Sequence, residues 1–254
     1  MARAKQIKII FIEKRDADRV VKQFHYSGKV TKNSQINFGV LLDGRLLGAL
    51  QYGPPIDRRR AALLFEGAGI RQMLELNRLA FSDALPRNSE SRSLGVTIRE
   101  IAKTYPDIIW VQSFADACQC GDGTIYRAAG FSLVQIKRNT TQLVLNGRVV
   151  AKKTLDDNPN YNSAHARKDG AVPLAGHQIK YIRILRPEWA NRFTGEYLPF
   201  SALRDLGIRM YRGQNLSASS ETRDTSGDQP EKGGAIPTDA LQPSGLCHAQ
   251  KPGL

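Results

Sequence analysis

Apolar and polar positions along the chain alternate between a period near two and a period near 3.6, which predicts strands interleaved with helices. Ile7 to Ile12, interrupted only by Lys8, reads as a first strand. Asp16 to His25 reads as a helix, with Asp16 as its cap, Ala17, Val20, Val21 and Phe24 at helical spacing, and Gly28 ending it. Asn37 to Tyr52 reads as a hairpin turning at Asp43-Gly44, a pair suited to a tight turn, and Pro54-Pro55 closes it. Residues 56–70 read as a basic loop with a short helical or extended piece.

The stretch from residue 76 to 131 organises the rest. The strand leading into it, Met73 to Phe81, carries Glu75, Asn77 and Arg78 among apolar neighbours, unlike an ordinary core strand. A turn-rich link follows, then a helix capped by Asn88 or Ser89. Leu94, Ile98, Ile101, Ala102 and Tyr105 form its buried stripe, and Tyr105-Pro106 stops it. Ile108 to Phe114 reads as a central strand. Its carboxyl end, Ser113-Phe114-Ala115-Asp116, is where open α/β sheets place ligands.

Beyond it come a glycine-bearing loop (117–123), a short helix capped by Thr124 and closed by Gly130, and a strand from Phe131 to Lys137. A second hairpin runs from Thr141 to Lys153 around Asn146-Gly147. Residues 156–176 read as a long polar loop and Gln178 to Leu185 as a strand. Residues 189–200 read as irregular, and Leu203 to Tyr211 as a last short helix. From Gly213 the chain is rich in Ser, Gly, Pro and Gln and too poor in large apolar residues to bury a core. The expectation is an α/β (α+β) domain over 1–212, a mixed central sheet flanked by helices, with a disordered tail over 213–254.

Charge narrows the partner. The chain carries +13, and residues 213–254, with three Lys/Arg against five Asp/Glu, carry −2, so the first 212 residues carry +15. Such an excess favours a partner with many phosphates, whether DNA, RNA or a nucleotide cofactor, over a face of merely solvated arginines. Arg58, Arg59 and Arg60 are candidates to track a phosphate backbone. No run of 18 apolar residues suggests a membrane span, and the first apolar run is too short for a signal peptide. Cys118, Cys120 and Cys247 are sparse and odd in number, which favours a reducing, cytoplasmic setting. Cys118 and Cys120 are too close for an easy disulfide, and no second Cys/His pair completes a zinc-like spacing.

Several polar residues stand out for their position. His25 lies at a helix C-terminus, where it either interacts with the dipole or serves chemistry. The turn before the 89–104 helix precedes a helix start, a natural site for a phosphate. Arg78 sits among strand apolars and calls for a partner or a ligand. Asp116 is either a turn former or a ligand-facing carboxylate, and Tyr126 either packs or reacts.

The element order, together with Ile125-Tyr126-Arg127-Ala128-Ala129-Gly130-Phe131, resembles the GNAT acyltransferase fold. In that fold the tyrosine often acts as general acid toward the departing thiolate. The usual Gln/Arg-x-x-Gly-x-Gly/Ala pyrophosphate loop is replaced here by Arg87-Asn88-Ser89-Glu90-Ser91-Arg92, which has no glycine. The resemblance implies a pyrophosphate held by backbone donors, with Ser89, Ser91, Arg87 and Arg92 assisting, and acetyl-CoA or another acyl donor as cosubstrate. An aminoacyl-tRNA donor would account for both the charge and the missing glycines.

Five motifs in order resemble the phage Mom DNA-modification proteins over roughly residues 5–200. They are His25-Tyr26-Ser27, Leu76-Asn77-Arg78-Leu79, Asn88-Ser89-Glu90-Ser91, Ser113-Phe114-Ala115-Asp116 and Gly123-Thr124-Ile125-Tyr126. That resemblance implies an enzyme of the host cytoplasm that hypermodifies adenine N6 in double-stranded DNA. The added group would be acyl-derived, of carbamoylmethyl or acetamido type, and would shield phage DNA from restriction. It implies an active site of Arg78, Ser91, Asp116 and Tyr126 with His25 and Tyr26 close by. It also implies iron, for which His25, Tyr26 and Asp116 are suitable ligand types.

On this reading Asp116 accepts the N6 proton, Arg78 polarises the donor carbonyl and Tyr126 serves the leaving group. Tyr26, Phe38, Tyr52 or Phe114 would stack on a base flipped from the duplex. Two other readings stay open. One is a GNAT-like acyl- or aminoacyl-transferase acting on protein, tRNA or a small amine. The other is a non-catalytic DNA-binding protein on the same scaffold.

Overall fold

A computed structural model describes residues 3–118 and 121–209. The tail from Gly213, Cys120 and Cys247 lie outside the described residues, as does the end of the helix expected to reach Tyr211. Ten strands and seven helices alternate along the described chain. In order they are β1 (Lys8–Phe11), α1 (Lys14–Phe24), β2 (Ile36–Leu42), β3 (Arg45–Gly53), α2 (Arg58–Ala62), β4 (Met73–Phe81), α3 (Ser89–Thr104) and β5 (Trp110–Asp116). There follow α4 (Thr124–Ala128), β6 (Ser132–Arg138), β7 (Gln142–Leu145), β8 (Arg148–Ala151), α5 (Lys152–Asp156), α6 (Ser163–Lys168), β9 (Val172–Pro173), β10 (His177–Ile184) and α7 (Ser201–Asp205).

Seven strands form one mixed sheet in the order β1-β2-β3-β4-β5-β10-β6. All neighbours run antiparallel except the central pair, β4 and β5. That parallel pair is short: it runs from Met73 opposite Trp110 to Glu75 opposite Gln112. Beyond Glu75 and Gln112 both strands continue, to Phe81 and Asp116, without pairing to each other. β4 also bulges there, since Gln51 faces Arg78 while Tyr52 faces Leu76, leaving Asn77 as the extra residue. A bulge bends its strand and increases its twist, so the parting of the two central strands has a local cause.

Side-chain alternation gives the sheet two differently covered faces. On one, Leu74, Leu76, Val111 and Tyr181 pack with Leu94, Ile98 and Ile101 of α3 and with Tyr126 of α4. On the other, Ala49 and Ala80 pack under Ala17, Val20 and Val21 of α1. The same face, further across, packs Met73, Trp110 and Ile182 against Ala61 and Phe65 and the 3-10 turn Pro187–Arg192 region through Trp189 and Phe193. Between those two covered zones, on that second face, lie Glu75, Gln112, Phe114 and Lys180.

Residues 139–176 depart from the loop expected over 156–176. They form a three-stranded sheet, β8-β7-β9, backed by α5 and α6, around Leu143, Leu155, Ala166 and Ala171. Asn162 starts α6 by accepting from the Ala164 and His165 amides at 3.0 and 3.1 Å. α1 begins earlier than expected. Glu13 takes the cap position and Asp16 lies in the first turn, where its carboxylate meets Arg19 at 3.3 Å.

Candidate active site

The open zone on the second face begins with Glu75, the last β4 residue paired to β5. Its Oε2 accepts from Gln112 Nε2 at 2.8 Å, and the Asn77 side chain also bonds to it. Burial raises its carboxyl above the usual range, opposed by those two hydrogen bonds and by the charges of Lys180 and Arg78. One carboxylate therefore gathers two carboxamides and two cations at the point where the strands part.

Arg78 extends from β4 next to this carboxylate. Its Nε donates to the Lys29 carbonyl at 2.8 Å and its Nη1 to the Asn77 carbonyl at 2.6 Å. Tyr26 and Glu75 are its electrostatic neighbours. The C-terminus of α1 brings His25 and Tyr26 to the same place, because the Ala17-Val20-Val21 stripe seats that helix on β3 and β4. His25 and Tyr26 rings stack at 4.4 Å. The Ser27 amide donates to His25 Nδ1 at 3.1 Å, and Ser27 Oγ lies 2.8 Å from the same nitrogen. Burial, with Arg78 nearby, pushes the imidazole down to about 4, so it is neutral at ordinary pH. His25, Tyr26 and Arg78, some fifty residues apart in sequence, thus form one cluster with Glu75.

Across the gap, Lys180 of β10 places its ammonium 5.7 Å from the Phe114 ring centroid. Burial pushes this lysine down to about 8; Glu75 opposes the shift, while Arg60 and Lys137 reinforce it. Asp116 lies two residues beyond Phe114, about 13 Å along β5 from Gln112 at the usual rise per residue. Its Oδ1 accepts from the Cys118 amide at 3.0 Å and its Oδ2 from Gln142 Nε2. Burial, reinforced by the Asp116 carboxylate, raises the Cys118 thiol to about 12. Asp116 therefore joins β5 to the 139–176 unit, its carboxylate bonding to that unit and to its own turn.

Tyr126 approaches from the opposite face of the sheet. Its ring packs on Tyr181 (5.1 Å) and Phe131 (5.6 Å), is 7% exposed, and directs its hydroxyl to the Phe114 carbonyl at 3.5 Å. Gly123, not Thr124, caps this short helix, with φ of 70°, and the Thr124 amide donates to Asp122 Oδ1 at 2.9 Å. A Cβ at Gly123 would meet the Tyr181 and Tyr126 rings at 2.8 and 2.9 Å, so glycine is what lets Tyr126 lie against the sheet.

The start of α3 lies on that same side. Asn88 occupies the cap position with a left-handed φ of 70° and makes no side-chain cap. Asparagine tolerates that conformation better than most residues, so it does the conformational work of the missing loop glycine. Ser89 is buried and donates to the Pro86 carbonyl at 2.6 Å, while Ser91 Oγ lies 3.3 Å from the Asn88 carbonyl. The amides of Glu90 and Ser91 have no intrahelical acceptor by helix geometry. These donors, flanked by exposed Arg87 and Arg92, fit the pyrophosphate of a coenzyme A-type donor. Glu90 lies in the same turn, and burial, with Asp83 beside it, raises its carboxyl.

The metal expectation fares differently. Among the described residues no three His, Cys, Asp or Glu side chains cluster as ligands for an ion. His25 Nδ1 is engaged by Ser27, and the Asp116 carboxylate by Cys118 and Gln142. The bonding at His25 and Asp116 gives no support to an iron site of His25, Tyr26 and Asp116. No described helix is long and apolar enough to cross a membrane.

Glu75 is the residue that sequence reading left without a role. Its signal was an acidic side chain three positions before Arg78 on a strand otherwise suited to the core.

A mixed sheet with parted central strands, helices on both faces and a basic cluster at the parting defines an α/β domain built around a cleft. Solved acetyltransferases overlay it in part. The ribosomal-protein-S18-alanine N-acetyltransferase of Escherichia coli does so at 12% identity over 71% of this chain and 94% of that one, with a TM-score of 0.43. The spermidine/spermine N-acetyltransferase of Vibrio cholerae, solved with manganese ions, does so at 10% identity over 75% and 99%, with a TM-score of 0.44. The sequence is more specific. Residues 6–202 match the model of the Mom protein family, and the chain belongs to that family. It is 32% identical over 199 residues to the methylcarbamoylase Mom of Escherichia phage Mu, covering 75% of this chain and 80% of that protein.

Proposed function

We propose that this protein is a phage DNA-modifying transferase that adds a small acyl-derived group, of carbamoylmethyl or acetamido type, to adenine N6 in double-stranded DNA. The modification protects the DNA from host restriction. The observation that carries this reading is family membership across residues 6–202, together with likeness to a protein named a methylcarbamoylase. The +15 charge of the first 212 residues suits a polyanionic acceptor.

Adenine N6 is a weak nucleophile because its lone pair is delocalised into the ring. For the acetamido-type product an acyl thioester such as acetyl-CoA supplies the carbonyl carbon; a carbamoylmethyl group would instead be joined through an N–CH2 bond, from a donor whose leaving group sits on that methylene. As the new C–N bond forms and the C–S bond breaks, Asp116 takes the N6 proton and Tyr126 gives a proton to the leaving sulfur. Asp116 retains acceptor capacity for this, since each carboxylate oxygen has a lone pair beyond the one its present bond uses. Arg78, with two of its five N–H donors tied to Lys29 and Asn77, offers the rest to the developing oxyanion. His25 and Tyr26 wall the acceptor side. Ser91 and Ser89, with Arg87 and Arg92, hold the donor's phosphates at the start of α3, and the aminoacyl end of a tRNA is the competing donor. Glu75 holds the Gln112 and Asn77 side chains and adds its charge to the field around Arg78.

Expression with plasmid DNA, digestion to nucleosides and mass spectrometry test the reading. A new deoxyadenosine derivative is expected. Unmodified DNA from soluble, folded protein overturns it. Consumption of acetyl-CoA on a protein or polyamine instead would transfer the assignment to an amine acetyltransferase, and supply of aminoacyl-tRNA in vitro separates the two donors.

A further inference from the structure

We propose that Phe114, with Lys180 above its ring, is the platform on which the target nucleobase docks, on the sheet face opposite α3 and α4. This rests on the reading above that the acceptor is a DNA base.

Phe114 is anomalous for its place. It lies within β5, in the interior of a seven-stranded sheet, where Trp110, Val111, Gln112, Ser113 and Ala115 are all at most 4% exposed. Phe114 itself is 44% exposed. An aromatic face left open in the middle of a sheet is unusual unless something covers it. Of the four aromatics the sequence offered for base stacking, Phe38 and Tyr52 are 1% and 0% exposed and belong to the core. Phe11 is 49% exposed, but it lies on the edge strand β1, four strands away, and leans on Phe38. That leaves Phe114 and Tyr26, the latter 59% exposed, as the two open aromatics of the four.

The surroundings say what covers the ring. Lys180 pairs with Phe114 across the β5–β10 ladder and sits 5.7 Å from its centroid. Lys137 and Arg60 lie close enough to Lys180 to act on its charge, and Arg78 is linked to the same field through Glu75. An aromatic face ringed by cations matches a base whose flanking phosphates need neutralising, since stacking is tolerant of base identity and the charges grip the backbone. The location also fits the chemistry. Residue 114 lies beyond Gln112, where β4 no longer flanks β5. Its ring faces one side of the sheet while its carbonyl meets the Tyr126 hydroxyl on the other. A base on the ring would bring its amino group to the gap between acceptor and donor sides.

The test is a binding ratio that needs no turnover. Affinities are measured for a short oligodeoxynucleotide carrying one adenine and for the same strand made abasic. Wild type is expected to prefer the adenine strand by roughly 5- to 150-fold, the range of one base–aromatic stack. Phe114→Leu should lose that preference while binding the abasic strand as before, and Phe114→Trp should keep it. Lys180→Met should weaken both strands. An equal preference in wild type and Phe114→Leu, or no binding of either strand by wild type, overturns the platform. If the preference depends on Phe114 yet plasmid DNA stays unmodified, the base site stands and the transferase reading fails.

Discussion

Replacing Tyr126 with phenylalanine separates a chemical role from a packing role. The ring stacks on Tyr181 and Phe131 and is almost wholly buried, and phenylalanine keeps all of that area. What is lost is the hydroxyl and its interactions, among them a bond to the Phe114 carbonyl at 3.5 Å, the limit of hydrogen-bonding distance. Such a loss costs about 1 kcal/mol, the middle of the ordinary range for one net hydrogen bond. For a domain of this size that lowers the thermal midpoint by roughly 2–4 °C. Loss of a proton donor to the leaving group costs about 100-fold or more in rate, equivalent to about 2.7 kcal/mol of transition-state stabilisation. The two effects therefore differ in size as well as in kind. The assay pairs a thermal unfolding scan with single-turnover modification of DNA, read as modified deoxyadenosine by mass spectrometry. The expected result is a near-native midpoint with modification reduced at least 100-fold. Modification within about threefold of wild type would remove Tyr126 from the chemistry.

Three further substitutions follow from the structure. A Cβ at Gly53 would meet the Asn33 carbonyl at 2.1 Å and Asn77 Oδ1 at 2.7 Å, so Gly53→Ala should destabilise by about 3 kcal/mol and disturb the Asn77–Glu75 pair. Gly95→Ala, whose nearest neighbour is the flexible Arg99 at 3.6 Å, is the control and should stabilise α3 slightly; comparable denaturant midpoints for the two variants would refute the crowding argument. His25 titrates near 4 in the folded chain against 6.5 for an ordinary histidine, so the folded state binds this proton less readily than the unfolded one. Stability present above about pH 6.5 should drain away as pH falls toward 4, and His25→Gln should flatten that part of the profile; identical slopes in urea titrations across this window would count against the assigned burial.

Much of the scaffold was legible because its elements bury one face and expose the other. The Asp43-Gly44 hairpin, the α3 stripe of Leu94, Ile98 and Ile101, and the short apolar run of β5 all follow from periodicity alone. Register does not. Nothing in the alternation of β4 announces that Asn77 is an extra residue or that pairing with β5 stops at Glu75, yet those two facts open the cleft. The 139–176 unit was half seen, since its β7–β8 pair is the visible hairpin while α6 buries only Ser163 and Ala166 and both residues of β9 are exposed. A search for loop glycines missed that Asn88 can hold the same backbone conformation. His25, Tyr26 and Arg78 could be suspected singly from their motifs. That they meet depends on how α1 seats on β3 and β4. Glu75 was noticed as out of place but given no task, because only the fold shows it bonded to Gln112 and Asn77.

Residues 139–176 fold around a core of their own, and their described ties to the main sheet are a few polar side chains: Gln142 to Asp116, Gln178 to Thr141, and Lys29 Nζ to Thr154 Oγ1 at 3.0 Å. Lys29 is also the residue whose carbonyl holds Arg78. The 139–176 unit is thereby a subdomain inserted between β6 and β10 that reaches the candidate site through Lys29 and Asp116. A lineage can lengthen, recharge or exchange that unit without redesigning the seven-stranded sheet.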